Sequence, residues 1–118
     1  MASPTDTALQ SDEVLERAAE LFRLMSAPMR LKIIGALCQG EKNVTELLAE
    51  VATTQPNMSQ HLNTLYRAGV LGKRRKGVQI YYHIANPHVT PLCRAVCTLV
   101  AQGAVPLAQP GLQAQHEA

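Results

Sequence analysis

A mainly α-helical domain with one small β-hairpin is the fold class this sequence predicts, its elements running helix, helix, helix, helix, hairpin, helix. Three observations predict it. Apolar residues recur at helical spacing in five separate stretches between Ser11 and Gln102. A short stretch, Val78 to Ile84, is rich in β-branched and aromatic residues and follows a basic run across Lys76-Gly77. Helix breakers (Pro28, Gly40, Pro56, Gly69 and Asn86-Pro87) punctuate the pattern.

The 118 residues suit one domain. Residues 1–10 read as a flexible tail, 11–103 as the folded domain, and 104–118, with Pro106 and Pro110, as a disordered tail. The hydrophobic fraction is 47% and the charged fraction 17%, a balance that argues against global disorder. With no Trp and one Phe, the core must be aliphatic.

The first helix starts at Ser11-Asp12-Glu13, a Ser cap with acids in the first turn. Val14, Leu15, Ala18, Leu21, Phe22 and Met25 follow at helical spacing, an amphipathic face long enough to serve a dimer. Pro28 opens the second helix, about Met29 to Cys38, with Leu31, Ile34, Leu37 and Cys38 on one face and Gly40 as its stop. Asn43 caps the third, and Glu46 three residues on completes a capping-box pattern. Val44, Leu47, Leu48 and Val51 are its buried side. Thr53 or Thr54 caps the fourth, which has Pro56 in its first turn, a buried stripe of Met58, Leu62, Leu65 and Tyr66, and a stop at Gly69. Val70 to Arg75 and Val78 to Ile84 form the hairpin. The fifth helix runs from His88 to about Gln102 with Val89, Leu92, Val96, Leu99 and Val100 inward.

Charge is distributed unevenly although the formal net charge is only +2. Between Lys42 and Tyr82 stand Lys42, Arg67, Lys73, Arg74, Arg75 and Lys76 against Glu46 and Glu50. The first helix instead carries Asp12, Glu13, Glu16 and Glu20. A local basic excess of this kind is the electrostatic footprint of a nucleic-acid surface. The fourth helix agrees. Thr54, Gln55, Asn57, Ser59, Gln60 and His61 crowd its N-terminal end, largely off the apolar stripe. Asn and Gln pair with adenine edges, and a recognition helix reads bases with its N-terminal residues. Lys73, Arg74, Arg75 and Lys76 at the hairpin are placed for phosphate or the minor groove. The expected partner is double-stranded operator DNA.

Asn43 to Ile84 thus resembles the winged helix-turn-helix of the ArsR/SmtB family of bacterial repressors. The residues that carry the resemblance are Met29-Arg30-Leu31 after Pro28, Gln55-Pro56, Ser59-Gln60-His61-Leu62, Leu65, Ala68-Gly69-Val70-Leu71, and Gly77 followed by Tyr81-Tyr82. The match runs from about Ala18 to Val100. It implies a homodimer through the first and fifth helices, and release from DNA when an inducer binds.

The three cysteines bear on the inducer. Cysteine is among the most buried residues, so each is read first as a small buried hydrophobe. The resemblance adds a sensor reading. Members that bind arsenite or soft metals carry cysteines on the third helix, but here Val44-Thr45-Glu46-Leu47-Leu48 has none. Members that bind zinc on the fifth helix use Asp, His and Glu; here only His88 matches, beside Asn86, Leu99 and Gln102. The sulfur- and redox-sensing (BigR/SqrR-like) subgroup places one cysteine on the second helix and one on the fifth. Cys38 and Cys97 match it, each shifted by about one turn in opposite chain directions, which keeps the thiols opposed if the helices pack antiparallel. The resemblance therefore implies Cys38 and Cys97 as sensor thiols, with Cys93 as an additional candidate, and a reactive sulfur or oxidant inducer. The alternative is a metalloid or soft metal ion held by Cys38, Cys93, Cys97 and His88.

Other classes are disfavoured. No Cys-x-x-Cys motif exists and no base evidently adjoins a cysteine, so neither an enzyme nor a cofactor is expected. Apolar runs fall far short of the ~18 residues that span a membrane. The N-terminus lacks a secretion-signal pattern, so the expected location is cytoplasmic.

Overall fold

The structure, a computed structural model, describes residues 6–105. Residues 1–5 of the expected N-terminal tail and 106–118 of the C-terminal one lie outside the described residues. The chain divides into two compact units, one ending at Asn86 and the other starting at Pro87, where the sequence reading has a single domain over 11–103.

The first unit contains α1 (Asp6–Leu9), α2 (Asp12–Leu24), α3 (Pro28–Leu37), β1 (Lys42–Asn43), α4 (Val44–Glu50), α5 (Gln55–Arg67), β2 (Leu71–Lys76) and β3 (Gln79–Ile84). The second contains α6 (Val89–Ala101). Two elements are additions to the expected set: α1, a single turn within the stretch read as tail, and β1. The strands form one antiparallel sheet in the order β1-β3-β2. β1 escapes a sequence reading because two residues carry no periodicity; only pairing of Lys42 with Tyr82 and Asn43 with Tyr81 defines it.

Local chemistry sets the helix ends. The Ser11 side chain accepts from the Val14 N–H. Asn43 and Glu46 form the full capping box, Asn43 Oδ1 accepting at 2.8 Å and Glu46 Oε1 accepting at 2.9 Å. Thr54 caps α5 through the Asn57 N–H. Gly40 and Gly69, at φ 138° and 80°, supply backbone that L side chains rarely adopt where α3 and α5 end. The hairpin turns at Gly77-Val78 rather than Lys76-Gly77, since Lys76 already pairs with Gln79. Gly77, at φ 67°, makes that two-residue loop possible.

The core of the first unit is aliphatic as composition requires. Ile33, Ile34, Leu47, Met58, Leu62, Leu65 and Leu71 are its largest fully buried side chains. α5 packs on α3, α4 and β2 through this set. Three expectations are corrected. Ile33 and Ala36 join Ile34 and Leu37 in the buried face of α3, whereas Leu31 is half-buried and Cys38 is exposed as the helix C-cap. Tyr66 is exposed rather than buried, and its ring meets a basic side chain of the hairpin instead of the aliphatic core. On α6 only Val89 is buried; Val96, Leu99 and Val100 are exposed. Apart from these corrections, no residue of α2 is buried, and Val14, Leu15 and Phe22 of the face expected to serve a dimer are exposed.

Leu62 is fully buried in the middle of α5, so Leu62→Ala removes its burial and leaves a cavity. Chemical denaturation should show a destabilisation of about 2–5 kcal/mol, with the denaturant dependence unchanged. A change under about 0.5 kcal/mol would show that α5 is not the packing centre described.

Candidate nucleic-acid interface and thiol positions

One helix separates into two chemistries. Met58, Leu62 and Leu65 lie fully buried on one side of α5. Gln55, Asn57, Ser59 and Gln60 are exposed on the rest of its first half. The first turn carries no acid, so the positive end of the helix dipole is not offset. Thr54, the exposed N-cap, already spends its hydroxyl oxygen on the Asn57 N–H.

His61 differs from its neighbours. It is half-buried, and the Arg30 Nε–H of α3 donates to its Nδ1 at 3.2 Å. An accepting Nδ1 places the ring proton on Nε2, leaving that nitrogen as a donor. Arg30 also donates to the Leu24 carbonyl at the end of α2, at 3.0 Å. One guanidinium thus ties α2, α3 and α5 together. Sequence reasoning missed it, since a single Arg on an amphipathic helix gives no sign of which carbonyl or imidazole it will meet.

The hairpin basics divide by strand alternation. Arg74 lies opposite Tyr81, as does Asn43 from the other side, so Arg74, Lys76, Tyr81 and Asn43 share one face of the sheet. Glu41, two residues before Asn43, falls on that face too. Arg74 Nε donates to Glu41 Oε1 at 2.7 Å and its Nη2 to Oε2, a two-pronged pair. Lys76 Nζ stands 3.9 Å from the same carboxylate and 5.4 Å above the Tyr81 ring. The hydrogen bond from Arg74, with the charges of Arg74, Lys76 and His83, holds the Glu41 carboxyl below the usual carboxylate range. Arg74 is correspondingly held above its usual value, first by its hydrogen bond to Glu41.

Lys73 and Arg75 occupy the other face. Lys73 Nζ lies 4.4 Å over the Tyr66 ring of α5, joining the hairpin to the end of that helix. Arg75 is exposed and has no hydrogen-bond or ion-pair partner among the described residues. Gly72 sits opposite His83, where any Cβ would strike the imidazole as it is placed and the ring would have to move.

None of the thiols is on α5. Cys38 closes α3, its N–H bonded to the Ile34 carbonyl at 3.0 Å. Cys97 is exposed on α6 and Cys93 is half-buried one turn before it. None of the three is in a disulfide. His88 is the exposed residue that precedes α6. Among the described residues no three His, Cys, Asp or Glu side chains converge to hold a metal ion, and no helix is long and apolar enough to cross a membrane.

Comparison with known proteins places this arrangement. Residues 27–73, from the start of α3 into the hairpin, match the family model described as bacterial regulatory protein, arsR family. The transcriptional repressor SmtB of Mycobacterium tuberculosis is 37% identical over 86 residues, covering 73% of this chain. The matched segment spans 64% of that repressor, slightly under two thirds of its length. Among solved structures, the transcriptional repressor BigR from Xylella fastidiosa superposes with a TM-score of 0.70 at 30% identity, covering 83% of this chain and 94% of that one. The antimony-specific transcriptional repressor AntR superposes at 0.75 with 26% identity, covering 88% and 95%. These relatives are transcriptional regulators rather than enzymes. With its helix-turn-helix, its basic hairpin and these similarities, the chain belongs to the ArsR family of bacterial regulatory proteins.

Proposed function

We propose that this protein is a homodimeric repressor that binds operator DNA through α5 and the hairpin, and that thiol chemistry at Cys38 and Cys97 releases it. The observation that carries the DNA reading is the exposed polar half of α5 beside Lys73 and Arg75. Gln55, Asn57, Ser59 and Gln60 supply base-edge donors and acceptors, and His61 adds an Nε2–H donor. Thr54 contributes as cap, and the hairpin cations meet phosphate. The exposed apolar residues of α2 (Val14, Leu15, Phe22) and of α6 (Val96, Leu99, Val100) support dimerisation through these helices. A dimer reads two half-sites roughly 34–36 Å apart.

The thiol reading rests on the exposure of Cys38 at the end of α3 and of Cys97 on α6, together with the resemblance to the sulfur-sensing subgroup. A peroxide would accept two electrons and two protons from the pair, leaving a disulfide and water. Of two inorganic persulfide molecules, one would instead donate the bridging sulfane sulfur of a polysulfide bridge and the other would carry the two electrons and two protons away, both ending as hydrogen sulfide. Such a link fixes α3 relative to α6 and changes the spacing of the two α5 helices. Cys93, one turn from Cys97, has its Cβ about 5–6 Å away at helical spacing, against about 3.5–4.5 Å for a disulfide. It therefore suits a polysulfide bridge better than a direct bond. Likeness to the antimony-specific AntR favours a second reading, a metalloid held by Cys38, Cys93 and Cys97 with His88. The thiol reading is preferred because the cysteines resemble the one-on-each-helix pattern of the sulfur-sensing subgroup and α4 carries no cysteine.

Ser59→Ala and Gln60→Ala should each erode discrimination between operator and mutated operator by about 1–3 kcal/mol for every base edge no longer read. Arg75→Ala should weaken binding to all sequences alike and lower the salt slope by roughly one for the phosphate it would neutralise. Fluorescence anisotropy across a salt series separates the two patterns, and a uniform weakening from Gln60→Ala would remove it from the reading face.

A persulfide donor should release wild-type protein from its promoter in a gel shift and leave the Cys38→Ser, Cys97→Ser double variant bound. Release of both alike, or of neither, defeats the thiol switch. Release by antimonite or arsenite alone would establish the metalloid reading.

A further inference from the structure

The wing contains its own counter-charge. Glu41 lies just before β1, on the same sheet face as Arg74 and Lys76, and its side chain is 28% exposed. Both carboxylate oxygens are engaged by one guanidinium, and Lys76 approaches the second of them. A two-pronged arginine–carboxylate pair is the strongest geometry for such an interaction. It uses the same planar donor edge that a phosphate would take. The pair also links two outer strands across β3, because β1 and β2 both pair with β3 and not with each other.

The four hairpin cations are therefore not equivalent. Lys73 lies over an aromatic face that leaves its N–H groups available, and Arg75 is unpaired among the described residues. Arg74 and Lys76, on the opposite face, are held by Glu41. The carboxyl stays ionised through the neutral range because its basic neighbours favour the charged form.

We propose that Glu41 is a specificity-determining residue that competes with phosphate for Arg74 and Lys76, so that these cations add little to binding on arbitrary DNA. Non-specific affinity is almost wholly counterion release, and it scales with the number of cations that reach phosphate. A carboxylate that occupies two of them lowers it directly. Operator binding is less affected, because base recognition by α5 holds the protein in one register while Lys73 and Arg75 engage the backbone. Glu41 acts through Arg74 and need not touch DNA. This inference rests on the DNA-binding reading above.

The test compares wild type, Glu41→Gln, Arg74→Gln, the double variant, Arg75→Gln and Glu16→Gln on operator and on scrambled duplex over a salt series. Glu16 is exposed on α2 and gives the same change in net charge on a different element from the wing. Glu41→Gln should tighten scrambled-DNA binding by about tenfold at low salt and steepen the salt slope by about one to two per wing. The ratio of operator to scrambled affinity should fall. Arg74→Gln should change scrambled-DNA binding little in wild type and strongly in the Glu41→Gln background. The proposal is overturned if Glu41→Gln behaves like Glu16→Gln, or if Arg74→Gln costs the same in both backgrounds. Failure of the underlying DNA reading looks different: wild type would bind neither duplex, and Arg75→Gln would change nothing.

Discussion

Burial of a single apolar stripe governs the rest of this structure. Met58, Leu62 and Leu65 are inaccessible to solvent, and they fill the space bounded by Ile33, Ile34 and Leu47 from α3 and α4. Fully burying each such side chain is worth about 1.5–3 kcal/mol. Rotating α5 by one residue would expose the stripe and bury amides, which need hydrogen-bond partners they do not have there. The rotation of α5 is thus fixed by its apolar side, and Gln55, Asn57, Ser59 and Gln60 are outward by consequence. The polar face needs no stabilising interactions of its own, so it is free to be composed for a ligand.

Electrostatics adds a second level of organisation. Strand alternation divides Lys73, Arg74, Arg75 and Lys76 between two faces that meet different surroundings. Tyr66 on α5 takes Lys73 and Glu41 takes Arg74. An exposed ion pair ordinarily contributes little to stability, even one that spans the sheet as this one does. Its geometry matters for what it withholds. Arg30 illustrates the opposite case, a partly buried guanidinium that satisfies a helix-end carbonyl and orients an imidazole at once.

Much of this is legible in the sequence. The caps Ser11, Asn43 and Thr54, the stops Gly40 and Gly69, and the inward set of α5 follow from local rules. These act within one turn, and no distant partner is needed to read them. The misses share a cause. β1, the Glu41–Arg74 pair and the Arg30–His61 bond all join residues more than thirty positions apart, and none has a local signature. Helical spacing puts Tyr66 beside Leu65 and so in the core, but the cation above its ring is contributed by another element. The same spacing puts Cys38 on the apolar face of α3, yet Ile33, Ile34, Ala36 and Leu37 already fill that face. The basic excess counted from Lys42 leaves out the acid immediately before it, although that acid contacts two of the four hairpin cations.

The apolar faces of α2 and α6 connect the fold to its proposed switch. Phe22 is 62% exposed and Val96, Leu99 and Val100 are each nearly half exposed, on helices that bury almost nothing within the chain. Cys97 stands between Val96 and Leu99 in sequence, so a thiol modified there adds bulk and polarity beside the surface through which the proposed dimer forms. Cys38 lies at the far end of α3 from Arg30, whose bonds reach both α2 and α5. A bridge between these thiols would pull on α3 at one end while its other end remains tied to the reading helix. In the proposed switch the two cysteines therefore need not touch DNA to influence it. Their leverage in that switch would come from a helix anchored by buried Ile33, Ile34, Ala36 and Leu37 and chemically accessible at its C-cap residue.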